Sequence, residues 1–409
     1  MGYIELEYAL SEESKAMQET ANKFAMEVMR PIGIELDNLP DPADAIKKDS
    51  PFWDVYRQYR ELGFHKTSIP KAFGGMAEDV DPMSRTLVSE MMGYGDGGIA
   101  ISFGAGSMPF LFAALSPEAE LQQLVRDYVQ DTQGNLIGCW AVTEPDHGTD
   151  WILATQPGMD DPKCSPTVKA VLKGDEYIIN GQKAAWVSNG TIATHAMLHL
   201  SLDPSKGMHG TGIAIIPLDL PGISRGKPLN KIGQRALNQG ELFFEEVKLP
   251  KKYMLAADPA VGTVMIETIL TAANTGMGIL WAGMAQAPYD EALQYAKERI
   301  QGGVPIFEHQ NIKLKLFNMF SMVESARAFA RKVSAYNAAN PPGSTAHAMA
   351  AKVLSTEAAF KVASEAIQIF GGNGLSKEYV IEKLFRDARA AMIEDGVNEA
   401  LALGGASKL

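Results

Sequence analysis

Val168-Lys169-Ala170-Val171-Leu172-Lys173-Gly174-Asp175-Glu176-Tyr177-Ile178-Ile179-Asn180 is the stretch on which the fold turns. β-branched and aromatic residues fill both halves, and Lys173-Gly174-Asp175-Glu176 lies between them, so the pattern predicts two short strands around a turn. Thr194 to Leu202 reads as a further strand, and Gly212 to Pro217 and Glu241 to Leu249 add two more. Pro, Gly and Asn punctuate the gaps at short intervals, which predicts a small antiparallel β-barrel or sandwich over residues 136–250. On both sides of this zone the apolar period changes from two to three and four. Ser11 is placed to cap a helix whose first turn carries Glu12 and Glu13, favourable beside the helix dipole. Met17, Ala21, Phe24, Ala25 and Val28 then draw one apolar stripe, which Pro31 is expected to end. Ser116-Pro117-Glu118 opens a later helix, with proline at its first position. Residues 1–135 thus read as a helical domain. Leu316 to Ala339 and Ser344 to Phe370 are periodic and rich in Ala, with Asn340-Pro341-Pro342-Gly343 between them and Ser344 as the next N-cap. Residues 251–409 are expected to form an antiparallel four-helix bundle. The fold class is α+β multidomain, in the order helical, β, helical.

Hydrophobic residues make up 46% of the chain and charged residues 21%, which excludes a disordered protein. The 49 acidic residues outnumber the 37 basic ones, for a formal charge of −12. No basic segment offsets that charge, so a nucleic-acid partner is not expected. Cys139 and Cys164 are too few for a disulfide framework or a four-thiolate metal site, and a reducing, cytoplasmic location is expected. The first residues, Met-Gly-Tyr-Ile-Glu-Leu-Glu, carry acids where a signal peptide carries a basic and then an apolar stretch. Between Glu267 and Asp290 there is no charge, yet Asn274, Gln286, Pro288, three Thr and three Gly dilute the apolar run. That composition favours a buried bundle helix over a membrane span.

Most short motifs read as structural. Gly222-Ile223-Ser224-Arg225-Gly226 has the spacing of a nucleophile elbow, but Pro221 before it and Lys227-Pro228 after it deny it the strand and helix that the motif needs. A turn is expected there. His195 and His199 would share one face of a strand, and without a third ligand they read as packing or surface residues rather than a metal site. The glycine clusters at 93–98 and 371–374 lack the frame of a Rossmann site and suit tight turns or a close backbone approach to a ligand. Two stretches carry more. Trp140 to Asp150 gathers donors and small residues around a loop, and Gly181 to Gly190 sets Trp186 two residues before Ser188. A flat aromatic beside a hydroxyl and backbone donors suits a planar heteroaromatic ligand, the alternative being a structural Trp.

Six blocks, in order, resemble the acyl-CoA dehydrogenases, a flavoprotein family built as helical domain, β domain and helical bundle. They are Pro70-Lys-Ala-Phe-Gly74-Gly75; Thr143-Glu144-Pro145 through Thr149-Asp150; Trp186-Val187-Ser188-Asn189; Arg299 through Pro305-Ile306 to His309-Gln310; Gln368-Ile369-Phe370-Gly371-Gly372-Asn373-Gly374; and Arg386-Asp387-Ala388-Arg389. The resemblance covers the chain nearly end to end. It implies FAD held by Trp140, Thr143, Thr149, Trp186, Ser188, Gln368, Gly371 and Gly372, with Arg299 and Gln310 reaching the dinucleotide of a neighbouring subunit in a homotetramer. It implies an acyl-CoA substrate against Asp96, Gly97, Thr149 and Gly396, and an electron-transfer flavoprotein as acceptor.

The chain departs from the family where the chemistry lies. Glu394-Asp395-Gly396-Val397 stands where Tyr-Glu-Gly-Thr is usual, so Asp395 takes the place of the catalytic base, one methylene shorter. Glu394 replaces a Tyr, Val397 removes a hydroxyl, Gly302 stands for a Phe and Ile269 for a bundle-helix Arg. A base is needed because the α-hydrogen of a thioester is weakly acidic, and its enolate must be stabilised while the proton leaves. Glu267 and Asp96 are the alternative bases, each also readable as an ordinary helix-surface or turn acid. An Asp in the base position resembles the cyclohexane- and cyclohexenecarboxyl-CoA dehydrogenases, which implies an alicyclic or branched acyl group; small Gly97, Gly98 and Ala100 would widen the pocket. The same Asp also resembles nitroalkane oxidases, which do not use CoA. A non-catalytic binding partner is the third reading.

Overall fold

The computed structural model describes residues 5–7 and 10–409, so the first four residues of the acidic N-terminal segment lie outside it. Six helices come first: α1 Glu12–Phe24, α2 Arg30–Asp37, α3 Phe52–Glu61, α4 Pro82–Gly95, α5 Gly97–Ala113 and α6 Ala119–Gln130. Ser11 caps α1, its hydroxyl accepting from the Ser14 N–H at 3.1 Å. Pro31 does not stop the chain's helical course. A π-helical turn over Ala25–Met29 intervenes, and Pro31 falls in the first turn of α2, where its missing N–H disrupts least. α6 begins at Ala119 with Glu118 at the N-cap, while Ser116 accepts from the Glu118 N–H at 3.2 Å just before it.

The β zone is one eight-stranded sheet in the order β6-β7-β3-β2-β4-β5-β8, with β1 pairing β4 beside that path. The strands are β1 Gly138–Ala141, β2 Lys169–Lys173, β3 Glu176–Lys183, β4 His195–Ser201, β5 Thr211–Pro217, β6 Ile223–Arg225, β7 Leu242–Pro250 and β8 Met254–Ala256. β2 and β3 form the expected hairpin, in register from Lys169↔Asn180 to Lys173↔Glu176. The sheet is mixed rather than purely antiparallel, because β1 runs parallel to β4 and β2 touches β4 in parallel at Lys169↔Ser201. The long chain between β1 and β4 supplies the crossover that a parallel pair needs. The end strands β6 and β8 do not pair with each other, so the sheet is not closed. Ile223–Arg225 is this end strand and not a turn, and no helix follows it, so Ser224 sits on no nucleophile elbow.

β4 and β5 show why the sheet can sit between layers. Ala196, Leu198, Leu200, Ala214 and Ile216 point into the sheet's own core, while Met197, Ile213 and Ile215 pack on Phe110 and Phe112 of α5, Val125 of α6 and Ile269 of the long bundle helix. Period-two alternation with both faces apolar is what a strand covered on both sides requires.

The remaining helices are α7 Pro259–Glu298, α8 Gln310–Ala339, α9 Thr345–Phe370, α10 Ile381–Ala391 and α11 Asn398–Ala406, with a small hairpin of β9 Ile300–Gln301 and β10 Val304–Pro305 after α7. Three long helices and the shorter α10 make the bundle. α7 carries the charge-free stretch and is long and apolar enough to cross a membrane, yet half of that window is buried within the protein. α4 crosses it at very close range. A Cβ on Gly283 would lie 1.9 Å from the Glu90 carbonyl oxygen, and one on Gly93 would lie 1.9 Å from that of Leu280. One core therefore runs from Phe24, Phe52 and Phe103 through Trp281 to Met319, joining the first helices to the bundle.

Candidate active site

A groove of about 680 Å³ opens between the 143–148 loop and Trp186. A buried ion pair anchors the loop from beneath. Lys183 Nζ donates to Glu144 Oε1 at 2.7 Å and to the Val142 carbonyl at 2.8 Å, and the Thr167 hydroxyl donates to Glu144 Oε2 at 2.5 Å. Burial alone would raise the Glu144 carboxyl, but Lys183 and Thr167 outweigh it and hold the group below the usual carboxylate range. The Ala184 N–H fixes the Thr143 carbonyl at 2.8 Å. Across the groove the Trp186 indole is 57% exposed. Ser188 Oγ accepts from Gln239 Nε2 at 3.2 Å, which leaves its own O–H to donate. Thr143 and Thr149 have hydroxyls with no partner among the described residues. An uncovered indole beside uncommitted hydroxyls fits a flat heteroaromatic group that carries acceptors, as the flavin of FAD does.

The segment 394–397, between α10 and α11, lies next to the end of the groove loop. A Cβ on Gly396 would come within 2.5 Å of Ile152, so the segment lies against the Thr149–Leu153 turn that ends the groove loop. Asp395 has φ +48° and Gly396 φ +107°. For the aspartate this left-handed conformation costs about 1–2 kcal/mol, and the surroundings must impose it. Lys352 of α9 does so, donating to the Gly396 carbonyl at 2.7 Å and to Asn398 Oδ1 at 2.9 Å. The Asp395 carboxylate itself accepts no hydrogen bond and forms no ion pair among the described residues. Burial raises its proton affinity, with Lys352 pulling partly the other way. Burial also brings the Lys352 ammonium down to about 8.

Two polar chains converge behind this segment. Gln234 Nε2 donates to Glu394 Oε1 at 2.8 Å, and the Gln234 backbone N–H donates to Asp387. Lys383 Nζ bridges Asp387 and Asp96 at 2.6 Å each. From the β side, Lys231 Nζ donates to the Leu237 carbonyl and to Gln239 Oε1, both at 2.8 Å. Burial lifts Glu394 to about 8, with the Asp395 charge adding to the shift. Burial lowers Lys231 to about 8 against the attraction of Glu394 and Asp387.

The acyl-CoA dehydrogenase N-terminal, middle and C-terminal domains match residues 11–131, 139–247 and 261–407. The chain is 30% identical over 400 residues to the "Probable acyl-CoA dehydrogenase YngJ" of Bacillus subtilis, a match that covers 96% of this chain and 97% of that relative. The chain belongs to the acyl-CoA dehydrogenase family. It superposes with a TM-score of 0.85 on butyryl-CoA dehydrogenase from Megasphaera elsdenii, at 26% identity over 98% of this chain and 99% of the other. A chain in the structure of the electron transferring flavoprotein of Acidaminococcus fermentans gives 0.84 at 27% identity, covering 98% of both.

In this acyl-CoA dehydrogenase the residues singled out by sequence divide into those that meet and those that do not. Thr143 and Trp186 line the groove, Thr149 and Ser188 lie one and two residues beyond its lining residues Gly148 and Trp186, and Asp395 and Gly396 belong to the segment packed on the Thr149–Leu153 turn. Trp140 is beside them, but its indole N–H is spent on His199 Nε2 at 2.9 Å, so its side chain offers a cofactor no donor. Asp96 is corrected from substrate contact or base to helix cap and ion-pair partner: it is buried, accepts from the Ile99 N–H at 2.9 Å and is held by Lys383. Gly97 is packed so that a Cβ there would meet the Trp281 ring at 2.9 Å, and Gly98 lies against Gln234, so both small residues also serve packing. Glu267 is paired with Lys408 at 2.6 Å, so it is not a free carboxylate. Ile269 faces the β-sheet. Arg299, Gln310, Gln368, Gly371 and Gly372 are exposed at the far end of the bundle. Arg299 lies about 30 Å along α7 from Gly278, the point where α7 touches Lys352, by the rise of an α-helix. Sequence reading missed Lys231, Gln234 and Lys352. Only Lys352 left a signal, as a lone cation on the inward stripe of an Ala-rich helix.

Proposed function

We propose that this acyl-CoA dehydrogenase is an FAD enzyme in which Asp395 takes the α-proton of an acyl-CoA, and that the acyl group is alicyclic or branched. The observation that carries the reading is the Asp395 carboxylate. It has no hydrogen-bond or ion-pair partner among the described residues, is raised by burial, and is held in a left-handed turn by Lys352 while Glu267 and Asp96 are both paired. Bound at the groove, the flavin would accept the hydride from the β-carbon. The chain's own part is to set the Trp186 indole and the Ser188 and Thr143 hydroxyls against the ring, and to keep Asp395 partly buried so that its raised proton affinity suits a weak carbon acid. The shorter reach of Asp relative to Glu supports a wider acyl group at the α-carbon.

The proposal includes an electron-transfer flavoprotein as acceptor, a homotetramer and a cytoplasmic location. Oligomerisation is supported by the separation of Arg299 and Gln368 from the groove within one chain, since one extended dinucleotide would meet both sets only between copies. The two free cysteines support a reducing compartment. Asp395→Asn tests the base: FAD content is expected to be unchanged, while flavin bleaching by substrate falls about 10²–10⁴-fold. Bleaching that survives in Asp395→Asn but is lost in Glu267→Gln would reassign the base. Turnover of cyclohexanecarboxyl-CoA against butyryl- and octanoyl-CoA tests the acyl group, and faster oxidation of the straight chains would end the alicyclic reading. Rapid reoxidation by air with no CoA affinity would favour the nitroalkane-oxidase alternative.

A further inference from the structure

Glu394 is a second carboxylate beside the proposed base, and its surroundings account for only one of its oxygens. Oε1 accepts from Gln234 Nε2 at 2.8 Å. That amide cannot turn to present its oxygen instead, because Nε2 also donates to the Asp387 carbonyl at 3.3 Å and a flipped amide would set oxygen against both acceptors. Gln234 is itself buried and held at φ +50° by its backbone bond to Asp387, which Lys383 and Asp96 fix in turn. The side chain of Glu394 is therefore placed from behind by a rigid polar stack. Its second oxygen, Oε2, receives no donor among the described residues. The nearby ammonium groups are committed elsewhere: Lys231 to the Leu237 carbonyl and Gln239, Lys352 to the Gly396 carbonyl and Asn398. Glu394 forms no ion pair among the described residues, and it is only partly buried.

A carboxylate oriented this carefully and left with an open acceptor is set up to receive a donor from a ligand. Its position limits where that donor sits. Consecutive Cα atoms are about 3.8 Å apart, which bounds the distance between the Glu394 and Asp395 carboxyl groups and favours a donor on the acyl part of the substrate over one on the CoA. An unsubstituted alkyl chain at that place would cover the acceptor and leave it unsatisfied, at a cost in binding. We propose that Glu394 is a specificity-determining residue that binds a hydrogen-bond donor, a hydroxyl or an ammonium group, carried by the acyl part of the substrate. This rests on the acyl-CoA reading with Asp395 as base, and it narrows the substrate from a ring or branch to one that bears such a donor. Burial raises the proton affinity of Glu394 against the pull of Lys352 and Lys231, and a bound ammonium group would favour its ionised form.

The experiment compares matched pairs with the purified flavoenzyme: cyclohexanecarboxyl-CoA against its 4-hydroxy and 4-amino derivatives, and butyryl-CoA against 4-hydroxybutyryl-CoA. Wild-type kcat/KM is expected to favour the substituted member by about 10- to 100-fold. Glu394→Leu should remove that preference and speed the unsubstituted member. Glu394→Gln, nearly isosteric, should keep most of the hydroxyl preference and lose most of the ammonium preference, which separates the two donors. Calorimetric binding of each pair to Asp395→Asn reads the same discrimination without turnover, and serves if Glu394→Leu fails to fold. Equal or better handling of the unsubstituted members by wild type, with ratios unmoved in Glu394→Gln, overturns the proposal while leaving Asp395 as base. Absence of bleaching and of binding by every acyl-CoA overturns the underlying reading instead.

Discussion

At the scale of residues, the proton affinities of Glu394 and Asp395 depend on the same burial, and that coupling has a measurable pH signature. Glu394 is lifted to about 8 in the folded protein from an ordinary value of 4.5. A carboxyl raised on folding favours the native state fully below its unfolded value, and this advantage is lost as the pH rises through the folded value. Wild-type melting temperature is therefore expected to fall relative to Glu394→Gln between about pH 4.5 and pH 8, with the two converging at the acid end. A constant offset across that window would show that Glu394 is solvated like a surface acid. Lys352 has the opposite sign, because burial lowers it to about 8, and its effect lies above that pH. Restricting the melts to pH 8 and below isolates the carboxyl.

At the scale of elements, the groove loop and the sheet are one mechanical unit because of Glu144 and Lys183. Both side chains are fully buried, so neither charge has water to fall back on. Lys183→Met leaves Glu144 as an uncompensated buried charge, and a loss of about 3–5 kcal/mol is expected in denaturant unfolding. FAD content should fall with it, since the 143–148 loop loses its anchor. Replacing both partners, Glu144→Leu with Lys183→Met, should recover much of the stability without restoring cofactor affinity. Recovery of both together would mean that the pair has no part in shaping the loop. The α4–α7 crossing belongs to the same scale: Gly93 and Gly283 let two backbones touch, and this brings the start of α5 beside Trp281 and the Asp96–Lys383 pair beneath the base segment.

At the scale of the whole molecule, the proposed dinucleotide contacts separate into two groups that one chain does not join. Leu314, Phe317 and Phe320 lie exposed along one side of α8, with Phe317 64% exposed. Residues three apart on a helix share a face, and an uncovered aromatic stripe of this kind suits an interface between copies. Phe317→Glu is expected to shift the protein to smaller species in sedimentation and to lower its FAD content in parallel. Arg299→Ala should lower FAD content with the assembly intact. A fully dissociated Phe317→Glu protein that retains one FAD per chain would refute the shared-site assembly.

Much of the fold is legible in the sequence because its signals are local. The apolar stripe after Ser11, the hairpin around Gly174 and the break at residues 340–343 each depend on neighbours within a few residues, and each element forms where periodicity and capping place it. The Thr143 loop, Trp186 and Asp395 were likewise legible as motif blocks. What lay beyond the sequence was decided by partners far apart along the chain. The parallel docking of β1 on β4 depends on a crossover, and Pro31 is tolerated because a π-turn realigns the helix before it. Asp96, Glu267 and Asp395 are all acids in plausible places, and although the 394–397 block puts Asp395 first, nothing in the sequence shows which of them is paired. Lys383 closes on the first and Lys408 on the second, while Lys352 reaches past the third to its neighbour's carbonyl. The sequence by itself determined the helical, β and helical order and the blocks that gather at the groove. The tertiary structure decided which carboxylate stays unpaired, because a buried charge is free or satisfied only according to the long-range neighbours that fold around it.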